Sequence, residues 1–318
     1  MIKSDEYIVD IPMCTYNHEK FLGEAIESVL MQKCDFKFRL FVGEDCSKDN
    51  TRQVLKSYAD KYPDIIFPIY HPENVGASLN TKILLSKCTA KYISFLDGDD
   101  YWLTENKLQR QVDFLEQNPD CIASHHWQKV AVLDKDGNYI VQNAPTDGHG
   151  YFPFDKSGVE NIFANKLRIK SRTVLFRNVI SPLPEWYYKV NYGDVAISMA
   201  LGKHGKFGFI NEPMALYRQT GKGLSSDGKG HWSFFLKHYI EWIRVWEYGN
   251  NYYNAEYQKE ALNTICYFYN VIFEKYHYSI RILASTLKYA LFESQLSYFL
   301  RFEIAWKLFK YFFFSRNK

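Results

Sequence analysis

The sequence predicts an α/β fold with a largely parallel sheet, followed by a helical C-terminal region. Three observations point there. Apolar strand-like runs alternate with amphipathic helical runs through the first hundred residues, one of those runs ends in a cluster of carboxylates, and the composition turns strongly aromatic beyond residue 230. The chain has 318 residues, 47% hydrophobic and 18% aromatic, enough to bury a sizeable core. A net charge of +3 is too mild to indicate nucleic acid as a partner. Six cysteines, at 14, 34, 46, 88, 121 and 266, show no CxxC and no zinc spacing, which predicts reduced thiols in a cytosolic protein. The opening Met1-Ile-Lys-Ser-Asp-Glu6 is acidic and runs straight into a strand, so no signal peptide is expected. No apolar stretch approaches the ~20 residues of a spanning helix.

Residues 7 to 13 read as the first strand and Cys14-Thr-Tyr-Asn-His18 as its loop. A helix is expected from near Asn17, because Phe21, Leu22, Ala25, Ile26, Val29 and Leu30 recur at helical spacing. The pattern repeats: a strand over Phe38–Gly43 ending in Glu44-Asp45, then a helix with Val54, Leu55, Tyr58 and Ala59 on one side. A third strand, Ile65–Tyr70, leads through Asn74-Val-Gly76 to a third helix containing Ile83 and Leu84. Helices on both faces of a twisted parallel sheet follow, with ligands at the carboxyl ends of the strands, where Thr15, Asp45, Asn74 and Asp97 fall.

The fourth strand, Tyr92–Leu96, ends in Asp97-Gly-Asp-Asp100. Like charges this close disfavour one another's ionisation unless a cation sits among them. Oxygen-only ligands suit Mg2+ or Mn2+, and Gly98 admits close backbone approach. An acidic turn capping the next helix would account for the same residues. That helix is expected over Thr104–Gln117, closed by Pro119. Two short strands, Cys121–Ser124 and Lys129–Leu133, are expected next, with Asp136-Gly137 as a hairpin turn, a long loop over 142–158 and a strand over Arg172–Phe176. Asp194 stands at the start of a helix through Ile197 and Leu201, and strands over Phe207–Ile210 and Met214–Tyr217 end at Arg218. Glycines at 221, 223, 228 and 230 mark a domain boundary near 230.

Several side chains carry two readings. His125 and His126, at an expected strand end, point to a hydrogen-bonded structural role, and Glu44 to solvation of its turn. Trp102 reads as a subsite wall or as core. His149 and His231 lie in loops, with no spacing that ties them to a site. The last helical run, Tyr298–Phe314, mixes aromatic residues with Arg301, Lys307 and Lys310. It fits an interfacial helix meeting anionic lipid, or a terminal helix packed on its neighbours.

Taken in order, Pro12-Met-Cys-Thr-Tyr-Asn17, Gly43-Glu-Asp-Cys-Ser-Lys-Asp-Asn-Thr51, Asn74-Val-Gly76, Leu96-Asp-Gly-Asp-Asp-Tyr-Trp102 and Gly193-Asp194 resemble glycosyltransferase family 2, the inverting GT-A-type sugar transferases of bacterial cell-envelope polysaccharide synthesis. The resemblance covers about residues 5 to 225. It implies a GT-A-type, Rossmann-like nucleotide-diphospho-sugar transferase domain over 1–230 with a mixed, mainly parallel central sheet. Its nucleotide-binding half would span about 1–102, its acceptor half about 103–230, and an aromatic-rich helical region 231–318 would follow.

Carried over position by position, the resemblance implies that Cys14, Thr15 and Tyr16 border the base and ribose of a nucleotide sugar, a UDP-sugar first among them. Asp45 matches the acid that hydrogen-bonds the base, and Asn74 belongs to the same nucleotide loop. Asp97 and Asp99 match the DxD pair at the Mn2+ or Mg2+ ion and the diphosphate. Asp194 matches the general base for the acceptor hydroxyl, although its position also suits a helix N-cap. Arg218 matches a residue that helps hold the diphosphate, but Gln219 and Thr220 follow where family members often carry His. The implied reaction moves a hexose or N-acetylhexosamine to a growing glycan or lipid-linked oligosaccharide, in the cytoplasm and at the inner face of the membrane through residues 296–318. Rival readings are a catalytically inactive sugar-nucleotide-binding scaffold and a nucleotidyltransferase. The latter would need a Gly-rich phosphate loop that Cys14–His18 lacks. A glycoside hydrolase fits the acidic cluster poorly.

Overall fold

The computed structural model describes residues 6–133, 138–141, 155–180, 182–220, 232–276 and 280–314. The Asp136-Gly137 turn, most of the loop expected over 142–158, His149, His231 and the boundary near 230 lie outside the described residues.

The alternation expected from the sequence is present: β1 (Tyr7–Thr15), α1 (Leu22–Leu30), β2 (Lys37–Glu44), α2 (Thr51–Lys61), β3 (Ile66–Tyr70), α3 (Ala77–Lys87) and β4 (Tyr92–Ser94). These four strands pair in parallel in the order β3-β2-β1-β4. Helix α1 buries Leu22, Ala25, Ile26 and Val29, the stripe its spacing predicts, but it begins five residues later than expected. Asn17 adopts a left-handed backbone (φ 55°), which Asn tolerates. Its N–H donates to Ser47 Oγ at 3.0 Å, and its Oδ1 accepts the Lys48 N–H, so residues 16–18 run as a loop beside the β2 end.

Beyond β4 the sheet becomes mixed. β5 (Tyr101–Trp102) is followed by α4 (Lys107–Gln117), β6 (Cys121–Leu133), β7 (Tyr139–Val141), β8 (Lys156–Ser157), α5 (Val159–Phe163), β9 (Leu175–Arg177), α6 (Gly193–Leu201) and β10 (Lys206–Gln219). The main path continues β4-β9-β6-β10-β5. Strand β9 is antiparallel to both β4 and β6, and the long β6–β10 pairing is parallel.

Three expectations are corrected here. The two strands expected within 121–133 are one, because the polar-looking His125–Gln128 stretch pairs with β10 and stays in the sheet. His125 and His126 are therefore buried mid-strand residues, and their Nε2 atoms find no hydrogen-bond partner among the described residues. The two strands expected within 207–217 are also one, irregular in register around Pro213, which lacks the N–H a regular ladder requires. The run from Arg172 starts as a single 3-10 turn, Ser171–Thr173, and extends only from Leu175.

Among the described residues the helices α7 (Trp232–Tyr252), α8 (Gln258–Tyr276), α9 (Ile280–Lys288) and α10 (Tyr298–Phe314) follow. The aromatic residues of α7 and α8 share one apolar cluster with α5 and α6, in which Val159, Phe163, Met199, Trp246 and Phe268 are all buried. Three of its polar groups are paired: Trp246 Nε1 and Thr264 Oγ1 both donate to the Phe163 carbonyl at 2.9 Å, and Tyr253 Oη donates to that of Met199 at 2.8 Å. A second cluster, centred on Ile11, Leu22, Ile26, Leu40, Trp102 and Leu108, lies under α1, α2 and α4. Among the described residues no helix is long and apolar enough to cross a membrane.

Candidate active site

The site begins where β1, β2 and β4 end side by side. The Asp45 N–H donates to the Thr15 carbonyl and the Gly98 N–H to that of Cys14, both at 3.0 Å, so the three loops leave the sheet as one surface. Gly98 is required by space: a Cβ there would lie 2.7 Å from Thr15 Oγ1 and 3.0 Å from His18 Nδ1. Asp45 is buried, and its two oxygens accept the N–H groups of Val75 (2.7 Å) and Gly76 (3.0 Å), while Asn74 Nδ2 donates to its carbonyl. Gly76, at φ 81°, supplies the left-handed turn that aims those donors. Cys14 Sγ lies 3.4 Å from Thr81 Oγ1, and burial pushes its thiol up to about 12, so it remains protonated at neutral pH. Tyr16 is half-buried and Asn74 exposed.

Glu44 does not solvate its turn. It is buried; desolvation works to raise its pKa, but hydrogen bonds from the Ser47 N–H and Arg52 Nε, each 2.6 Å, outweigh it and hold the carboxyl below its ordinary value. Trp102 is core, 1% exposed, with Nε1 donating to the Arg172 carbonyl and the Lys107 ammonium 4.1 Å from its ring centroid.

The three carboxylates of 97–100 are not equivalent. Asp100 is buried against Arg172, whose Nε donates to Oδ2, and its Oδ1 accepts the Arg218 backbone N–H at 2.9 Å. Arg172 is itself held by Gln128 Oε1 at 2.8 Å and by the face of Tyr217. Burial opposes its charge, yet Asp100, Asp194 and Asp97 together keep the guanidinium above its ordinary pKa. With the buried cation committed to Asp100, Asp97 and Asp99 are left without an equal partner. Burial, then the charges of Asp100 and Asp99, push Asp97 up to about 7 against the pull of Arg172. Burial and the Asp100 charge also raise Asp99. Ser171 Oγ donates to Asp97 Oδ2 at 3.4 Å.

Two half-buried carboxylates whose ionisation is suppressed by desolvation and by the Asp100 charge form an oxygen-donor set suited to a hard divalent cation. Among the described residues no group of three or more His, Cys, Asp or Glu side chains is disposed to hold a metal, so such an ion would take its remaining ligands from outside these side chains. His18 Nε2 comes within 3.9 Å of Asp99 Oδ2, but burial pushes the imidazole down to about 4, leaving it neutral at pH 7.

Arg218 closes one side. It is 5% exposed, with its guanidinium between the rings of Phe21, Tyr101 and Tyr139; one Nη donates to the Asp99 carbonyl at 3.0 Å and the other to Glu24. Asp194 lies in the first turn of α6, one residue inside Gly193, rather than at the cap. It is half-buried, and its charge acts on Asp97, Arg172 and Tyr187, which places it beside the acidic pair.

The fold thus gathers Cys14, Thr15, Asp97, Asp99, Asp194 and Arg218 around the strand ends, with Asp45 and Asn74 bracing the adjoining loop. Sequence reasoning missed Arg172, Gln128 and Ser171. The available signal was the unanswered charge of the acidic run together with a lone Arg just before an apolar strand.

Residues 10–162 match the family described as Glycosyl transferase family 2. Among curated relatives, an uncharacterised protein of Mycobacterium tuberculosis is 26% identical over 219 residues, covering 68% of this chain and 60% of that one. The UDP-Glc:alpha-D-GlcNAc-diphosphoundecaprenol beta-1,3-glucosyltransferase WfgD of Escherichia coli is 35% identical over 114 residues, 36% of this chain and 43% of that one. The chain therefore spans 60% or less of the length of either relative. Among solved structures, S. aureus TarS 1-349 in complex with UDP-GlcNAc aligns with a TM-score of 0.56 at 15% identity, covering 98% of this chain and 91% of that one. The mannosyltransferase PcManGT from Pyrobaculum calidifontis, in complex with GDP-Man and Mn2+, aligns at 0.54 and 14%, covering 98% and 89%. Residues 10–162 thus match the model of glycosyl transferase family 2, and the fold is of the GT-A type.

Proposed function

We propose that the protein is a metal-dependent inverting glycosyltransferase that moves a hexose or N-acetylhexosamine from a nucleotide sugar, a UDP-sugar by preference, to a hydroxyl of a growing cell-surface glycan such as lipopolysaccharide, capsule or exopolysaccharide. The observation that carries this reading is the pair Asp97 and Asp99, left without the buried cation at the ends of β1, β2 and β4, with Asp194 beside it. Support comes from the UDP-GlcNAc bound to TarS, the GDP-Man and Mn2+ bound to PcManGT, and the lipid-linked acceptor in the name of WfgD.

In this reading Cys14, Thr15 and Tyr16 border the base and ribose. Asp45 holds the 74–76 loop, and each of its oxygens keeps a second lone pair for a base N–H. Asp97 and Asp99 would hold Mn2+ or Mg2+, which when bound supplies Lewis-acid stabilisation of the departing diphosphate. Arg218, fixed against the Asp99 carbonyl, keeps the acidic turn in place and adds positive charge at the diphosphate. Asp194 accepts the proton of the acceptor hydroxyl as it attacks the anomeric carbon from the face opposite the leaving group, a contribution of ~10²–10⁴ in rate. Residues 1–230 would form the transferase domain, and 231–318 a helical region that meets the cytoplasmic face of the membrane, where a lipid-linked oligosaccharide is presented.

Calorimetric titration of UDP, GDP, CDP and TDP, with and without Mn2+, tests the donor half. Metal-dependent binding of one nucleotide, lost in Asp99→Ala, is expected. Equal binding without the ion, or by the variant, would refute the assignment of the acidic pair. Release of nucleoside diphosphate from a panel of donors and glycan acceptors tests the transfer.

A further inference from the structure

Helix α10 turns its aromatic side outward. It packs on α8, α9 and the turn at 289–293, burying Ile304 and Ala305. The opposite face carries Phe299 (78% exposed), Phe302 (65%), Trp306 (56%) and Phe309 (41%), with Tyr298 beside them and Phe292 exposed from the preceding turn. The 299, 302, 306, 309 spacing puts these rings in one stripe. A terminal helix packed by its aromatic side would show the reverse. Leaving this stripe in water forgoes about 25 cal/mol for each Å² of apolar surface, and a row of exposed rings marks a surface that meets something apolar.

The charge beside the stripe selects the partner. From Tyr298 to the end of the sequence there are five basic residues, Arg301, Lys307, Lys310, Arg316 and Lys318, against one acid, Glu303, a net of +4. Lys310 lies 5.1 Å from the centre of the Trp306 ring, and the Arg301 guanidinium 5.1 Å from that of Tyr298. The neighbouring Glu293 is matched by Arg244 and Lys288. A second copy would bring two such cationic stripes together, whereas an anionic bilayer answers both the rings and the charge. The helix is not long and apolar enough to span.

We propose that α10 lies in the interfacial plane of an anionic lipid bilayer, with Phe299, Phe302, Trp306 and Phe309 inserted among the headgroups and Lys310 at the phosphates. The proposal deepens the membrane-side acceptor of the function above and rests on it only for its purpose. A protein that transfers sugar yet ignores vesicles would refute this inference and leave that reading intact.

The test is flotation of the full chain with phosphatidylcholine vesicles and with phosphatidylcholine–phosphatidylglycerol vesicles, alongside measurement of its mass in solution. Binding to the anionic vesicles, falling with salt, is expected. Phe302→Ser with Trp306→Ser, and separately Lys307→Glu with Lys310→Glu, should each weaken it by about tenfold or more. All four sites are on α10, so circular dichroism and cooperative thermal unfolding serve as the check that the variants are folded. Binding unchanged in folded variants, no binding by the native chain, or an oligomer that the Phe302 and Trp306 changes dissociate would overturn the proposal.

Discussion

Arg172 donates its Nε–H to Asp100, and the two side chains are 10% and 1% exposed. The pair joins the turn after β4 to the segment before β9, and through the Arg218 N–H bound to Asp100 Oδ1 it reaches β10 as well. It also decides which carboxylates remain for a cation. Replacing Arg172 by Met would leave Asp100 buried and unpaired, a loss of about 3–5 kcal/mol. Adding Asp100→Asn should recover part of it. Denaturant unfolding of the two single variants and the double variant measures the coupling, and additive losses would show that the pair does not act as one unit.

The folded-state pKa of Asp97 lies near 7, above its ordinary 3.8. A carboxyl raised in this way contributes stability that is fully present below about 4 and is lost as pH rises towards 7, because the folded chain holds the proton longer than the unfolded chain does. The metal-free protein should therefore lose melting temperature between pH 4 and 7, after allowance for other groups. Asp97→Asn should flatten that window, as read by thermal unfolding across the pH series.

Asp194 is argued to act on the acceptor hydroxyl alone. Asp194→Asn is expected to lower kcat by about 10²–10⁴-fold with donor binding unchanged. Equal loss of donor affinity, measured by calorimetry, would instead assign it to the nucleotide side.

Trp246, fully buried and bonded to the Phe163 carbonyl, ties α7 to α5. Trp246→Ala should cost about 3–5 kcal/mol. If the helices and the sheet are one cooperative unit, a single transition moves to lower denaturant. Two separated transitions would show that they unfold independently.

Local physics made much of the architecture legible in the sequence. Apolar runs of strand length alternating with helical stripes predicted β1–α1–β2–α2–β3–α3–β4, because periodicities of two and 3.6 residues are local properties. The glycine in Asp97-Gly-Asp-Asp100, the acid at 45 and the aromatic tail were likewise visible without coordinates. Composition hid the burial of His125 and His126, since polar residues inside a long strand look like a break until the neighbouring strand covers them.

The partnership of the charges was a matter of tertiary structure alone. Arg172 is 72 residues from Asp100, and only the insertion of β9 between β4 and β6 brings the guanidinium beneath the acidic turn. Which face of α10 meets the protein was decided in the same way, by the surface that α8, α9 and the turn at 289–293 offer it. Residue identity dictates which groups need a partner. Chain topology determined which partner each one found, because electrostatic and packing energies depend on distance in space and not along the chain.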